Sequence, residues 1–108
     1  MITASERTLR LLDAQVGRHL SEVETPVAVV DLDRVEGNLA RLQAYAAQHG
    51  ITLWPHTKTH KCVEIGRMQL AHGAGGLTVA KTGEAEVFAE GGAPRILMHY
   101  PPSDRTKA

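Results

Sequence analysis

LTVAKTGEAEVFAEGGAPRILMHY, residues 77–100, contains one complete strand–helix–strand unit. Leu77 to Ala80 reads as a short buried strand. Thr82 is placed to cap a helix, with Glu84 and Glu86 in the first turn, where carboxylates favour the positive end of the helix dipole. Gly91-Gly92 ends that helix, Arg95 to Tyr100 reads as the next strand, and Pro101-Pro102 stops it. Two strands joined through a helix need a crossover, and the crossover makes them parallel.

The same alternation continues upstream. Ile51 to Lys58 reads as a strand. A helix follows from His60 or Lys61 to about His72, with Ile65 and Met68 inward, and Gly73-Ala74-Gly75-Gly76 breaks it. Further back, Pro26-Val-Ala-Val-Val-Asp-Leu-Asp33 is apolar on both faces, as a buried parallel strand is. Asp33 is positioned to cap the next helix, whose stripe is Val35, Leu39, Leu42 and Ala46 and which Gly50 ends in a left-handed conformation. Residues 5–20 form the first expected helix, with Ser5 as cap and Leu9, Leu12, Val16 and Leu20 on one face. The organisation is thus an N-terminal helix and linker over 1–25 and an α/β domain over 26–108. The prediction is four adjacent parallel strands in chain order: Pro26–Asp31, Thr52–Lys58, Leu77–Ala80 and Ile96–Tyr100.

A parallel sheet with crossover helices is either an open doubly wound sheet or a closed (β/α)8 barrel. The Gly-rich phosphate fingerprint of a dinucleotide fold is missing after the first strand, where Asp-Leu-Asp-Arg-Val-Glu stands instead. Gly73 to Gly76 precedes a strand rather than following one. The expected fold class is therefore α/β, a partial (β/α)8 TIM barrel holding about the first four strands. A whole barrel takes roughly 250 residues, and this chain has 108.

Composition narrows the function classes. Lys plus Arg and Asp plus Glu are twelve each, so no net charge argues for nucleic acid or an anionic membrane as partner. No apolar stretch is long enough to span a bilayer, and Met1 to Arg10 lacks the apolar core of a secretory signal. The single cysteine, Cys62, fits a reducing compartment, which makes cytoplasmic the expected location. A half barrel leaves open sheet edges and an uncovered apolar face, which invite self-association.

Polar residues gather at one end of each expected strand: Asp31 and Asp33, then His56, Lys58, Thr59 and His60, then Lys81 and Thr82, then His99 and Tyr100. In parallel architectures the C-terminal strand ends form the functional face. The second group is the densest. Strand periodicity puts Trp54, His56 and Lys58 on one face. A lysine buried there is driven toward its neutral, nucleophilic form; a lysine beyond the rim stays solvated, and the residues alone leave both open. His56 and His60 lie four apart, a metal spacing only on a helix, and Pro55 argues against one. Cys62 opens a helix, where the dipole lowers a thiol pKa, although a structural role also fits.

The string Pro55-His-Thr-Lys-Thr-His-Lys61 resembles the lysine motif of D-threonine aldolases and eukaryotic-type D-serine dehydratases, pyridoxal-phosphate enzymes grouped with alanine racemase as fold-type III. Thr25-Pro-Val-Ala-Val-Val-Asp-Leu-Asp33 with Asn38, Val79-Ala-Lys-Thr-Gly-Glu-Ala-Glu86 and Ile96-Leu-Met-His-Tyr-Pro101 agree with it, so the likeness runs from about Glu24 to Pro102. The resemblance implies that Lys58 is the catalytic Schiff-base residue, that Lys58 and His56 contact pyridoxal 5′-phosphate, and that Tyr100 is a further candidate for a supporting role. It implies a lyase acting on small D-3-hydroxy amino acids, by aldol cleavage or by deamination. It also implies a barrel followed by a β domain, with the cofactor phosphate bound by later loops and a divalent metal whose ligands lie outside this chain. The chain then reads as an N-terminal fragment. The alternative is a non-catalytic half barrel that needs another chain to bind cofactor.

Overall fold

The computed structural model describes residues 10–101. The expected cap at Ser5, the inward Leu9 and the stop at Pro102 lie outside the described residues. The chain divides into two compact units, Met1–Val30 and Asp31–Ala108.

In the first unit, residues 10–13 are helical and 14–17 form turns. A 3₁₀ turn follows at Leu20–Glu22, capped by His19, whose Nδ1 accepts the Ser21 N–H at 3.3 Å while its own N–H donates to Glu22 Oε2 at 3.2 Å. The helix expected over 5–20 thus ends early. Its stripe is not buried either, because Leu12, Val16 and Leu20 are exposed. A helix with no apolar partner over its stripe holds little stability. The strand expected at 26–31 forms no ladder among the described residues, and Val27, Val29 and Val30 are exposed. Its apolar character marks a segment suited to burial, but a strand exists only where a neighbour takes its backbone hydrogen bonds.

The second unit runs α1 (Leu32–Gln48), a 3₁₀ turn (Thr57–Thr59), α2 (Val63–Ala71), β1 (Leu77–Val79), α3 (Thr82–Glu90) and β2 (Ile96–Met98). The N-cap of α1 is Asp31 rather than Asp33: Asp31 Oδ1 accepts the Arg34 N–H at 3.1 Å, and Asp33 sits in the first turn. Both residues are good caps, and the chain uses the one two residues earlier, which also pairs with the Arg34 side chain at 3.3 Å. The helix buries Ala46, with Val35, Leu39 and Gln43 half-buried, while Leu42 is exposed. The inward stripe therefore passes through Gln43, not Leu42. Gly50 at φ 65° ends the helix as expected, and the Ile51 N–H returns to the Ala46 carbonyl at 2.8 Å.

β1 and β2 pair in parallel, Leu77 with Ile96, Thr78 with Leu97 and Val79 with Met98. The segment before them lies alongside β1 in chain order, but only through a single parallel bridge, His56 with Thr78. Two bonds show why. Gly75 N–H donates to the Leu53 carbonyl and Thr78 N–H to the Pro55 carbonyl, both at 2.8 Å. Two residues on one side face three on the other, the signature of a bulge, and Pro55 has no N–H to return. The segment expected as the second strand thus lies parallel to β1 through that one bridge but forms no strand, and from Thr57 it is a 3₁₀ turn.

The core is Leu77, Val79 and Phe88, packed by Val63, Leu70, Ala85, Ala93, Ile96 and Met98. α2 meets it through Val63, Gly66 and Leu70, while Ile65 and Met68, expected inward, are only half-buried. At Gly66 a Cβ would lie 2.9 Å from the Phe88 ring and 3.1 Å from Leu77, so the helix sits as close as glycine allows. The His72 imidazole and the Glu36 carboxylate join α2 to α1, and Arg67 Nε donates to the Gly91 carbonyl at 2.8 Å. The N-cap of α3 is Lys81 and not Thr82, because Glu84 reaches back to the N–H groups of Ala80 and Lys81 at 2.8 and 3.2 Å and so displaces the hydroxyl from that task. His60 stands edge-on to Phe88, ring centroids 6.3 Å apart. Burial pushes the His60 imidazole below its ordinary pKa, against hydrogen bonding to the Gln69 side chain and to the Cys62 backbone. The Gln69 carboxamide is close enough to help, yet neither His60 Nε2 nor Gln69 Oε1 completes a well-formed hydrogen bond.

Two predictions follow from this packing. In Gly76→Ala the new Cβ would sit 2.7 Å from the Arg95 carbonyl oxygen and overlap the Trp54 ring. Backbone cannot yield as a flexible side chain does, so stability should fall by about 1–3 kcal/mol, read as a lower urea midpoint. An unchanged midpoint would contradict the packing. The second concerns His60. The unfolded chain binds the His60 proton more readily than the folded one. Its contribution is therefore complete above the ordinary value of 6.5 and is lost as pH falls through the lower folded value. Urea midpoints between neutral and mildly acid pH should fall less steeply in His60→Gln than in the unmodified chain.

Candidate functional site

Residues 56–61 form the loop at the C-terminal end of the segment paired to β1. Thr57 is 0% exposed and Thr78 6% exposed. Thr57 Oγ1 donates to the Thr78 carbonyl at 3.1 Å, and Thr78 Oγ1 donates to the Trp54 carbonyl at 2.8 Å. Beyond these two buried bonds the chain leaves extended geometry and turns. The N–H groups of His60 and Lys61 both return to the Thr57 carbonyl, at 3.3 and 2.8 Å.

Lys58 lies in that turn and is exposed. Strand parity, which expected it on the face of Trp54 and His56, ends at Thr57, where the 3₁₀ turn begins. Its N–H donates to His56 Nδ1 at 3.2 Å. A nitrogen that accepts carries no proton, so the neutral His56 ring bears its proton on Nε2. That atom is buried and without a partner. The His56 ring lies 5.5 Å from His99, and His99 lies 4.6 Å from Tyr100, edge to face. His99 is held by its N–H on the Val79 carbonyl at 2.8 Å, the next rung beyond β1. The fold thus gathers His56, Lys58, His99 and Tyr100 from two strand ends.

The third strand end joins through charge. Lys61 Nζ lies 3.4 Å from Glu84 Oε1, with the Glu84 side chain 13% exposed. The N–H groups of Ala80 and Lys81, then the Lys61 ammonium, hold the Glu84 carboxyl below the usual carboxylate range. Lys61 was expected to open a helix. It instead precedes the Cys62 N-cap at φ 49°. Cys62 Sγ donates to Glu64 Oε2 at 3.2 Å, which occupies the thiol. Lys81 is exposed, Asp31 is engaged as the α1 cap, and Asp33 is exposed. Three residues that sequence reasoning passed over matter here: Thr57, Thr78 and Glu84. The signal for Thr57 was present, since it alternates with His56 and therefore faces the other side of the strand, into the core.

Chemically, the loop offers an exposed primary amine beside a half-buried imidazole whose buried Nε2–H is unpaired. An amine of this kind adds to carbonyl carbon, and an orphaned buried donor awaits an acceptor. A carbonyl compound with acceptor groups, such as pyridoxal 5′-phosphate, fits that donor set. A metal does not: among the described residues no three His, Cys, Asp or Glu side chains gather to hold one. No helix among the described residues is long and apolar enough to cross a membrane.

The alanine racemase N-terminal domain matches residues 30–108. A D-threonine aldolase from Arthrobacter sp. is 47% identical over 83 residues, 77% of this chain and 22% of that protein. A D-threo-3-hydroxyaspartate dehydratase from Delftia sp. (strain HT23) is 45% identical over 78 residues, 72% of this chain and 20% of that protein. The crystal structure of D-threonine aldolase from Filomicrobium marinum superposes with a TM-score of 0.78 at 39% identity, over 82% of this chain and 24% of that one. The chain spans about a fifth of the length of the curated relatives it matches. With most of its length covered by that domain, the chain belongs to the alanine racemase N-terminal domain family.

Proposed function

We propose that this chain is the lysine-bearing portion of a pyridoxal-phosphate-dependent lyase acting on D-3-hydroxy amino acids, with Lys58 as the residue that would hold the cofactor covalently and His56 as its neighbour in the site. On this reading residues 26–108 are the first half of a (β/α)8 barrel and residues 1–25 a helix and linker ahead of it. The observation that carries the proposal is the lysine turn. Lys58 stands exposed at the C-terminal end of a segment in a parallel sheet, with its N–H on His56 Nδ1.

Substrate class comes from the chemistry that the relatives' names share. They include D-threonine aldolase, 3-hydroxy-D-aspartate aldolase, D-threo-3-hydroxyaspartate dehydratase and D-serine dehydratase. Each substrate is a D-amino acid with a hydroxyl on Cβ. Bound here, the cofactor supplies an electron sink for a bond broken at the substrate Cα. This chain's own residues do the rest of the work assigned to them. Lys58 offers its amine from a turn whose backbone is fixed on both sides. His56 keeps one nitrogen on that backbone and turns its N–H toward whatever acceptor enters.

A second reading, a non-catalytic half barrel that another chain completes, draws on the exposure of Leu97 in β2 and Val87 in α3.

The test is to add pyridoxal 5′-phosphate to the 108-residue chain, record near-visible absorbance, reduce with borohydride and map the labelled peptide. The expected result is one label, on Lys58, lost with its absorbance band in Lys58→Ala. Label on Lys61 or Lys81 instead would overturn the assignment. A chain that takes no label and associates in light scattering would favour the half-barrel reading.

A further inference from the structure

Lys61 is the only non-glycine among the described residues with a positive φ, 49°. Side chains enter that region at a cost and stay only where surrounding contacts over-determine the backbone. Three contacts do so here. The Lys61 N–H donates to the Thr57 carbonyl at 2.8 Å, the following Cys62 N–H donates to His60 Nδ1 at 3.1 Å, and Lys61 Nζ pairs with Glu84 Oε1 at 3.4 Å. The other Glu84 oxygen, Oε2, accepts the N–H groups of Ala80 and Lys81 at 2.8 and 3.2 Å. One carboxylate therefore holds the loop after β1 with one oxygen and the lysine turn with the other.

An ion pair between two free surface chains contributes little, because both must be immobilised. This pair differs in one respect. Glu84 is already fixed by two backbone donors and is 13% exposed, so only Lys61 gives up freedom. The Ala80 and Lys81 N–H groups and the Lys61 ammonium also hold the Glu84 carboxyl below its ordinary value. The turn it closes is the one that carries Lys58.

We propose that Lys61 and Glu84 are positioning residues for Lys58: their ion pair ties the lysine turn to the loop after β1, keeps Lys61 in its left-handed conformation, and so presents the Lys58 amine in one orientation. The proposal rests on the reading of Lys58 as the cofactor amine. Lys61 itself touches no substrate in this account; it acts through the backbone of residues 58–61.

Three variants of the full chain test it. Glu84→Gln keeps an acceptor for the Ala80 and Lys81 N–H groups and loses the charge. Lys61→Met keeps the length of the side chain and loses the charge. Lys61→Arg keeps the charge and serves as the rescue. Two readouts are taken: the rate of borohydride-trapped labelling of Lys58 by pyridoxal 5′-phosphate, and ¹⁵N relaxation of the 58–61 amides without cofactor. Glu84→Gln and Lys61→Met should each slow Lys58 labelling about tenfold, a part of the hundredfold that a 1 Å misplacement costs, and should lower the order of those amides. Lys61→Arg should stay within about twofold of the unmodified chain on the same scale. Labelling at the unmodified rate in both charge-removing variants would overturn the proposal, as would slowed labelling that Lys61→Arg fails to restore. If the unmodified chain takes no label on Lys58, the cofactor reading fails on its own, and relaxation decides the pair. Order lost in the two variants and restored by arginine supports it; unchanged order overturns it.

Discussion

Thr57 donates a hydrogen bond to the Thr78 carbonyl at a point with almost no solvent, and much of the second unit is arranged around that contact. The Thr57 hydroxyl donates to the Thr78 carbonyl, the Thr78 hydroxyl to the Trp54 carbonyl, and the Thr78 N–H to the Pro55 carbonyl. A buried polar group left unpaired costs more than a made hydrogen bond gains. Each of these groups therefore constrains its partner. The ladder here is interrupted by a bulge and by a proline, so backbone pairing alone holds the segment weakly. Two threonine side chains take over what the missing rungs would have done.

The same anchor sets where the chain turns. Thr57 is fixed in the core and its carbonyl receives the His60 and Lys61 N–H groups, so the turn starts one residue before Lys58. The lysine is thereby lifted out of strand parity and into solvent, while the neighbouring His56 stays half-buried and reaches back to the Lys58 N–H. An exposed amine is set on a rigid foot. The core orders the backbone beneath it, which suits the cofactor-bearing role proposed for Lys58.

Much of this was legible in the chain itself. The alternation of strands and helices, the breaks at Gly50 and Gly91-Gly92, and the parallel pairing over 77–79 and 96–98 all follow from local residue chemistry. The departures have physical causes. Pattern cannot choose between two adjacent good caps, so Asp31 replaced Asp33, and a distant carboxylate, Glu84, displaced Thr82 from capping. The apolar run at 26–31 marks burial potential, not pairing, since pairing needs a neighbour. Lys58 was singled out by the motif around it, while the residues alone left burial and solvation both open, because parity holds only as far as the strand does. The partner of Lys61 was invisible for a simpler reason. Lys61 and Glu84 are far apart in sequence, and only the fold brings them within 3.4 Å.

The most direct measurement is amide hydrogen exchange, residue by residue, in the unmodified chain and in Thr57→Val, which keeps the shape of the side chain and removes its hydroxyl. With Thr57 anchored as described, the Thr78 and Lys61 amides are protected in the unmodified chain, since their partners are the Pro55 and Thr57 carbonyls. Loss of one buried hydrogen bond, about 1 kcal/mol, should then raise the exchange of both amides together by about fivefold. Lys61 exchanging at an unprotected rate in the unmodified chain, or unaffected while Thr78 accelerates, would contradict the account, because the turn that carries Lys58 would then be independent of the buried threonines.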